Sequence, residues 1–244
     1  MELVAILIYL FVLLLPLLVL LVPFVLAWWR GAKSIQRIHR LYRRALGITI
    51  SRLFNINIEY SVVGPLEATF EGKNGLGVVG KVFLADRRAY AYYFIKVFKE
   101  INDGVILELM TQRPPGCSML IISRERRKLL EKALGYAEEL ETIDIPYLSE
   151  FLVMTDNILA AQRIFDAFIV RELANLRKYL AYIIIDYSSP QLEIFFEIND
   201  KKYAELIPRI LTLTKRIVDD ALRIPPRKSK LEVMKMLKKA LKAK

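Results

Sequence analysis

The stretch LVAILIYLFVLLLPLLVLLVPFVLAWW, Leu3 to Trp29, carries no charged side chain. Crossing a hydrocarbon core takes about 20 apolar residues, because roughly 30 Å must be covered at 1.5 Å per helical residue. The run exceeds that need, and Pro16 and Pro23 predict a tilt or a bend within it. A cleaved leader has a basic stretch before a shorter apolar core. Here only Glu2 precedes the run, and Trp28, Trp29 and Arg30 follow it, so residues 1–29 read as a transmembrane anchor.

Working outward, Arg30, Lys33, Arg37, Arg40, Arg43 and Arg44 follow with no acid among them. Positive flanks stay on the cytoplasmic side, so the expected arrangement is single-pass in the cell membrane, N-terminus outside and everything after Trp29 inside. The lone Cys117 suits a reducing compartment. Residues 30–54 read as a basic amphipathic helix with Ile35, Ile38, Leu41, Tyr42 and Ala45 on one face and Arg37, Arg40 and Arg44 on the other. That apolar face has two possible partners, the lipid headgroups or the protein's own soluble domain.

Beyond Phe54 the hydrophobic period changes from that of a helix to that of a strand. Ile56, Ile58, Tyr60 and Val62 alternate with polar or solvent-side positions, and Gly64-Pro65 supplies a turn into Leu66 to Phe70. Further strands are expected at Val78 to Leu84, Ala89 to Lys99, Val105 to Gln112 and Ser118 to Ser123, then at Ala181 to Tyr187 and Gln191 to Ile198. Helices are expected over Arg124 to Leu140, Asn157 to Tyr179 and about Asp200 to Arg223. Strands come in runs instead of alternating with helices, which predicts an α+β fold: a transmembrane helix followed by an antiparallel sheet with packed helices, the soluble domain spanning 55–226.

The chain has 37 Lys plus Arg against 26 Asp plus Glu. The six cations of residues 30–44 and the eight of the basic tail 227–244 account for that excess, leaving residues 45–226 close to neutral. A nucleic-acid domain would carry a basic footprint of its own, so nucleic acid is the weaker partner, with the tail as its alternative site. Within the tail, Leu231, Met234, Leu237 and Leu241 gather on one helical side and Lys235, Lys238, Lys239 and Lys242 around the others, the pattern of a helix for anionic lipid or an acidic partner. Sparse Gln and Cys lean toward a thermophile-like composition.

Gly75-Leu-Gly77-Val-Val-Gly80 matches a glycine-rich phosphate loop, and Phe94-Ile95-Lys96 resembles a strand presenting a phosphate-pairing lysine. A nucleotide-binding or enzymatic domain using Gly75, Gly77, Gly80 and Lys96 is therefore the alternative reading. It lacks the helix start that holds a pyrophosphate, and no Asp-Phe-Gly or His-Arg-Asp stands anywhere in the chain. His39 alone builds no zinc site and reads as solvated or interfacial, and Cys117 without a second histidine reads as a small buried residue. No catalytic residue, metal or cofactor is called for.

Phe151-Leu-Val-Met-Thr-Asp156, then Ala160-Ala161 and Ile164 opening a helix, resembles the C-terminal half of a family of prokaryotic membrane-anchored proteins described as a domain of unknown function, over roughly residues 147–222. The resemblance implies a soluble α+β domain behind a hydrophobic anchor, and no activity. The expectation is a membrane-anchored scaffold, adaptor or assembly subunit whose partners are the lipid bilayer and a protein, either another chain or a second copy.

Overall fold

The computed structural model describes residues 2–73, 77–89, 91–92, 95–96, 101–126, 140–187, 191–199 and 202–225. Its first element is one continuous helix, α1 (Glu2–Phe54), about 80 Å long at 1.5 Å per residue. The apolar half of α1 is long and apolar enough to cross a membrane. Val12, Val19, Phe24, Val25 and Trp28 are all more than half exposed, so this part is not the core helix of a soluble fold. Arrangement changes at Gly31. From there Ile35, Ile38, Tyr42, Leu46 and Ile50 recur at helical spacing and are buried in the core of the domain. The apolar face of residues 30–54 therefore packs on protein, which decides between the two partners the sequence left open.

The rest is a nine-stranded, wholly antiparallel sheet: β1 (Ile58–Gly64), β2 (Glu67–Gly72), β3 (Val78–Phe83), β4 (Asp103–Met110), β5 (Met119–Ser123), β6 (Glu141–Ile143), β7 (Phe151–Thr155), β8 (Leu180–Asp186) and β9 (Gln191–Ile198). In space the order is β1-β2-β3-β4-β9-β8-β5-β7-β6. Four strands form a meander, and β9 then inserts between β4 and β8 to join the two halves of the sheet. Further helices among the described residues are α2 (Ile158–Ile164), α3 (Ala167–Leu176) and α4 (Tyr203–Arg223). Strand alternation puts Phe70, Val82, Leu107, Ile194, Ile183 and Ile121 on one face, and α1 and α4 lie together over the hydrophobic core there.

Two expectations are corrected. Ala91, Tyr92, Ile95 and Lys96 are helical, not a strand; the Tyr and Phe content of this segment matches strand preference, but such preference follows context. The single helix expected over 157–179 is two, because Asp166 is extended and its side chain accepts from the Ile169 N–H at 2.8 Å, starting α3 anew. Most of the helix expected over 124–140, and the whole basic tail, lie outside the described residues.

Contacts between α1 and the sheet follow in order down the helix. Gly31 lies against the Arg87 carbonyl; a Cβ there would sit 2.2 Å from that oxygen. His39 is buried, its Nε2 donating to the Pro65 carbonyl at 3.1 Å and its Nδ1 3.0 Å from the Tyr60 hydroxyl, so it is neither solvated nor interfacial. Gly47 lies beside Ile58. The turn of residues 64–66 is thus nearer the apolar run of α1, and Asn57 and Lys73 are toward its C-terminal end.

Candidate functional site

Arg30, Lys33, Arg37, Arg40, Arg43 and Arg44 are all exposed along the side of α1 that faces away from the core. Among the described residues none has a carboxylate within ion-pairing distance. Several arginines elsewhere are paired, Arg87 with Asp103, Arg88 with Asp86, Arg126 with Glu197, Arg177 with Glu150, Arg209 with Glu172 and Arg216 with Asp166, whereas Arg113 and Arg124 donate to the Leu222 and Phe151 carbonyls. Among the described residues the six cations of residues 30–44 therefore form a row of exposed cations with no carboxylate beside them.

Position along α1 divides the row. Lys33 Nζ lies 3.6 Å from the centre of the Trp29 ring, a cation–π contact where the apolar run ends. Arg44 lies fourteen residues past Arg30, about 21 Å along the axis, which exceeds a Debye length of about 8 Å. Arg40, Arg43 and Arg44 instead wall a groove of about 570 Å³ with Gly47, Ile48, Asn57, Ile58 and Lys73. Its lining is part cationic and part apolar, with Ile48 fully presented to solvent at 59% exposure.

A second groove, of about 830 Å³ and almost wholly apolar, lies between Phe24, Val25 and Trp28 of α1 and Arg88, Ala89, Ala91 and Ile95. Its α1 wall belongs to the run that is long and apolar enough to cross a membrane. Arg88 at its rim is engaged by Asp86 through Nε at 3.0 Å and Nη2 at 3.2 Å.

The sheet face opposite the helices carries acids. Glu108 and Glu193 are direct register partners, an arrangement that costs energy unless donors intervene. Gln191 Nε2 donates to Glu108 at 2.8 Å, and the Tyr182 hydroxyl donates to Glu193. Burial, then that hydrogen bond, holds the Tyr182 phenol above its ordinary pKa, so it remains a donor. Leu120, Ile122 and Met154 form a small buried cluster further along the same face.

The residues of the nucleotide-binding alternative separate. Gly80 faces the core; a Cβ there would lie 2.3 Å from Phe70 Cζ and 2.5 Å from the Ile106 carbonyl, so this glycine makes room for a ring. Gly77 has φ +81° and turns the chain into β3, its carbonyl accepting from the Met110 N–H at 2.8 Å. Lys96 lies past the other end of β3, exposed, with Nζ 5.5 Å from the Tyr92 ring. Gly75, Lys235, Lys238, Lys239 and Lys242 lie outside the described residues. Among the described residues no three His, Cys, Asp or Glu side chains gather as a metal site. Sequence reasoning missed Lys73, whose place beside Arg43 and Arg44 follows from the β2 register alone.

No protein-family model matches the chain, and no curated protein matches it in sequence. Among solved structures, the mycobacterial trehalose monomycolate transport factor A is similar over 76% of this chain and 99% of its own, at 12% identity and a TM-score of 0.40. A likeness that distant carries no inference about ligand or partner.

Proposed function

We propose that the chain is a single-span membrane-anchored scaffold or adaptor that holds an α+β interaction domain at the cytoplasmic face. The observation that carries this reading is that one helix holds both the exposed apolar run and part of the domain core. Leu14–Phe54 continues from the exposed apolar run into the side chains of Ile35, Ile38, Tyr42, Leu46 and Ile50, which are buried against the sheet and α4. No hinge separates anchor from domain, so the domain is presented at a fixed height and orientation. Arg30, Lys33 and Arg37 would then meet anionic headgroups, each contributing about 1 kcal/mol near the surface. Arg40, Arg43 and Arg44 lie beyond that field and are left for a partner.

The test is topological and stoichiometric. A tag placed after Lys244 should resist protease added to intact cells and be digested once the membrane is permeabilised. Brief chemical crosslinking in those membranes should join the chain to a second polypeptide. Digestion in intact cells overturns the orientation, and a chain that remains monomeric under crosslinking overturns the scaffold role.

A further inference from the structure

We infer that the groove beside Arg43 and Arg44 receives an extended acidic segment of a protein partner, which adds as a strand to the open edge of β1. This names the chemistry of the partner and rests on the adaptor reading for its setting. β1 is the terminal strand of the sheet, paired only with β2 among the described residues. The Lys73 N–H donates to the Asn57 carbonyl at 2.8 Å, which makes 57 and 73 a hydrogen-bonded pair. Antiparallel pairs alternate, and the register runs Ile58↔Gly72, Glu59↔Glu71, Tyr60↔Phe70. The main-chain groups of Ile58, Tyr60 and Val62 therefore point outward, away from β2. Natural edges are blunted by inward charge, proline, bulges or cover; on β1 the register with β2 shifts between Val62 and Gly64, so the regular open edge is Ile58 to Val62. On this edge Val62 and Val63 are 56% and 67% exposed.

Side-chain chemistry then sets the sequence preference of the added strand. Its residues alternate between the two faces. Those on the α1 side would meet Arg40, Arg43, Arg44 and Lys73, four cations without a carboxylate partner among the described residues, over an apolar floor of Ile48 and Ile58. Those on the other side would lie beside Val63 and Glu59, where an apolar residue fits and a second acid is repelled. The expected ligand is an acidic and apolar alternation, not a uniformly anionic polymer. Arg44, about 21 Å past Arg30 along α1, lies more than a Debye length beyond the end of the apolar run, where a bilayer's field is weak. Nucleic acid would satisfy the arginines but leave the outward N–H and C=O groups of β1 without strand partners.

The probe is a fluorescent peptide of about eight residues, alternating glutamate and valine, titrated by anisotropy onto the full chain in detergent micelles. Saturable binding is expected that weakens from about 0.1 M to about 1 M salt, with an alternating lysine and valine peptide failing to bind. Arg43→Glu with Arg44→Glu should weaken it about tenfold or more. Val62→Pro removes one outward donor and should also weaken it about tenfold, whereas Val62→Thr keeps that donor and binds as the native chain does. Hydrogen exchange on the unmutated chain gives an independent reading: the Tyr60 and Val62 amides should slow when peptide is bound. Unchanged exchange there overturns the proposal. So do indifference to the charge reversals, a uridine oligonucleotide that binds more tightly and displaces the peptide, or self-association of the chain through β1 that excludes it. The assay contains no bilayer, so its failure leaves the topology result standing, and a failed topology leaves this result standing.

Discussion

Arg87 and Asp103 form a two-pronged ion pair sealed from solvent, with Nη1 to Oδ1 and Nη2 to Oδ2 both at 2.9 Å. Asp103 opens β4 and also accepts the Ala85 N–H at 2.9 Å, while the Arg87 carbonyl lies against Gly31 of α1. The pair ties the loop after β3 both to the sheet and to the anchoring helix. Removing one partner leaves an uncompensated buried charge, which costs about 3–5 kcal/mol. Asp103→Ala should therefore lower the unfolding free energy of the full chain by that much, and Arg87→Met in the same chain should recover part of it. A double variant no better than the single would show that the geometry, and not the stranded charge, dominates.

Glycines of α1 separate two effects that propensity alone merges. Alanine is favoured over glycine within a helix by about 1 kcal/mol. At Gly47 the nearest atom to a new Cβ is Ile58 Cγ1 at 4.0 Å, so Gly47→Ala should stabilise by roughly 0.5–1 kcal/mol. At Gly31 the same Cβ would meet the Arg87 carbonyl oxygen at 2.2 Å and the Arg88 Cα at 2.7 Å, both backbone. Gly31→Ala should destabilise by about 1–3 kcal/mol despite the better helix former. Thermal unfolding of the two variants side by side checks the opposite signs.

The sheet was legible wherever one face is wet. Strands β2 to β4 and β9 alternate buried and more open positions, β1 alternates half-buried and exposed ones over Ile58 to Ser61, and period two locates them. β7 was not: Phe151–Thr155 is buried on nearly every residue and shows no period, and it lacks a turn like Pro114-Pro115-Gly116, which marked the equally buried β5; β6 is only three residues long. The break between α2 and α3 carried a readable signal in Asp166, a capping residue inside an apolar run. The arginines of α1 were legible as a basic face, but a face does not name its partner; burial of Tyr42 and Leu46 against the sheet did. The groove with Lys73 joins residues about 30 positions apart through the β1–β2 register, which no local pattern encodes.

Cys117 is buried, and burial, then the charge of Asp156, pushes its thiol up to about 12. At pH 8 only about 1 in 10,000 such thiols is ionised, against roughly 1 in 10 at the ordinary value of 9.0. The native chain should resist alkylation at that pH and react promptly in denaturant. The sign for stability follows. The folded thiol keeps its proton while the unfolded one loses it above its ordinary value of 9.0, so stability is full below that pH and falls between 9.0 and about 12. Denaturation midpoints compared at pH 8 and pH 10 should show the decline, and Cys117→Ala should reduce it.

Domain boundaries drawn at the strand onset would place residue 55 at the start of the soluble unit, and the packing argues otherwise. Ile35, Ile38, Tyr42, Leu46 and Ile50 are each at most 4% exposed, and together they cover the sheet beside α4. Burying a large apolar side chain stabilises by about 1.5–3 kcal/mol, so these five contribute on the order of the whole net stability of a domain, about 5–15 kcal/mol. A fragment of residues 55–225 should therefore aggregate or show no cooperative melt. A fragment of residues 30–225, which restores the inner half of α1 without its apolar run, should be soluble and melt cooperatively. Leu46→Ala in that longer fragment should cost about 2–5 kcal/mol. Cooperative folding of the shorter fragment would mean that α1 only rests on the domain, and the rigid mounting on which the adaptor reading depends would be lost.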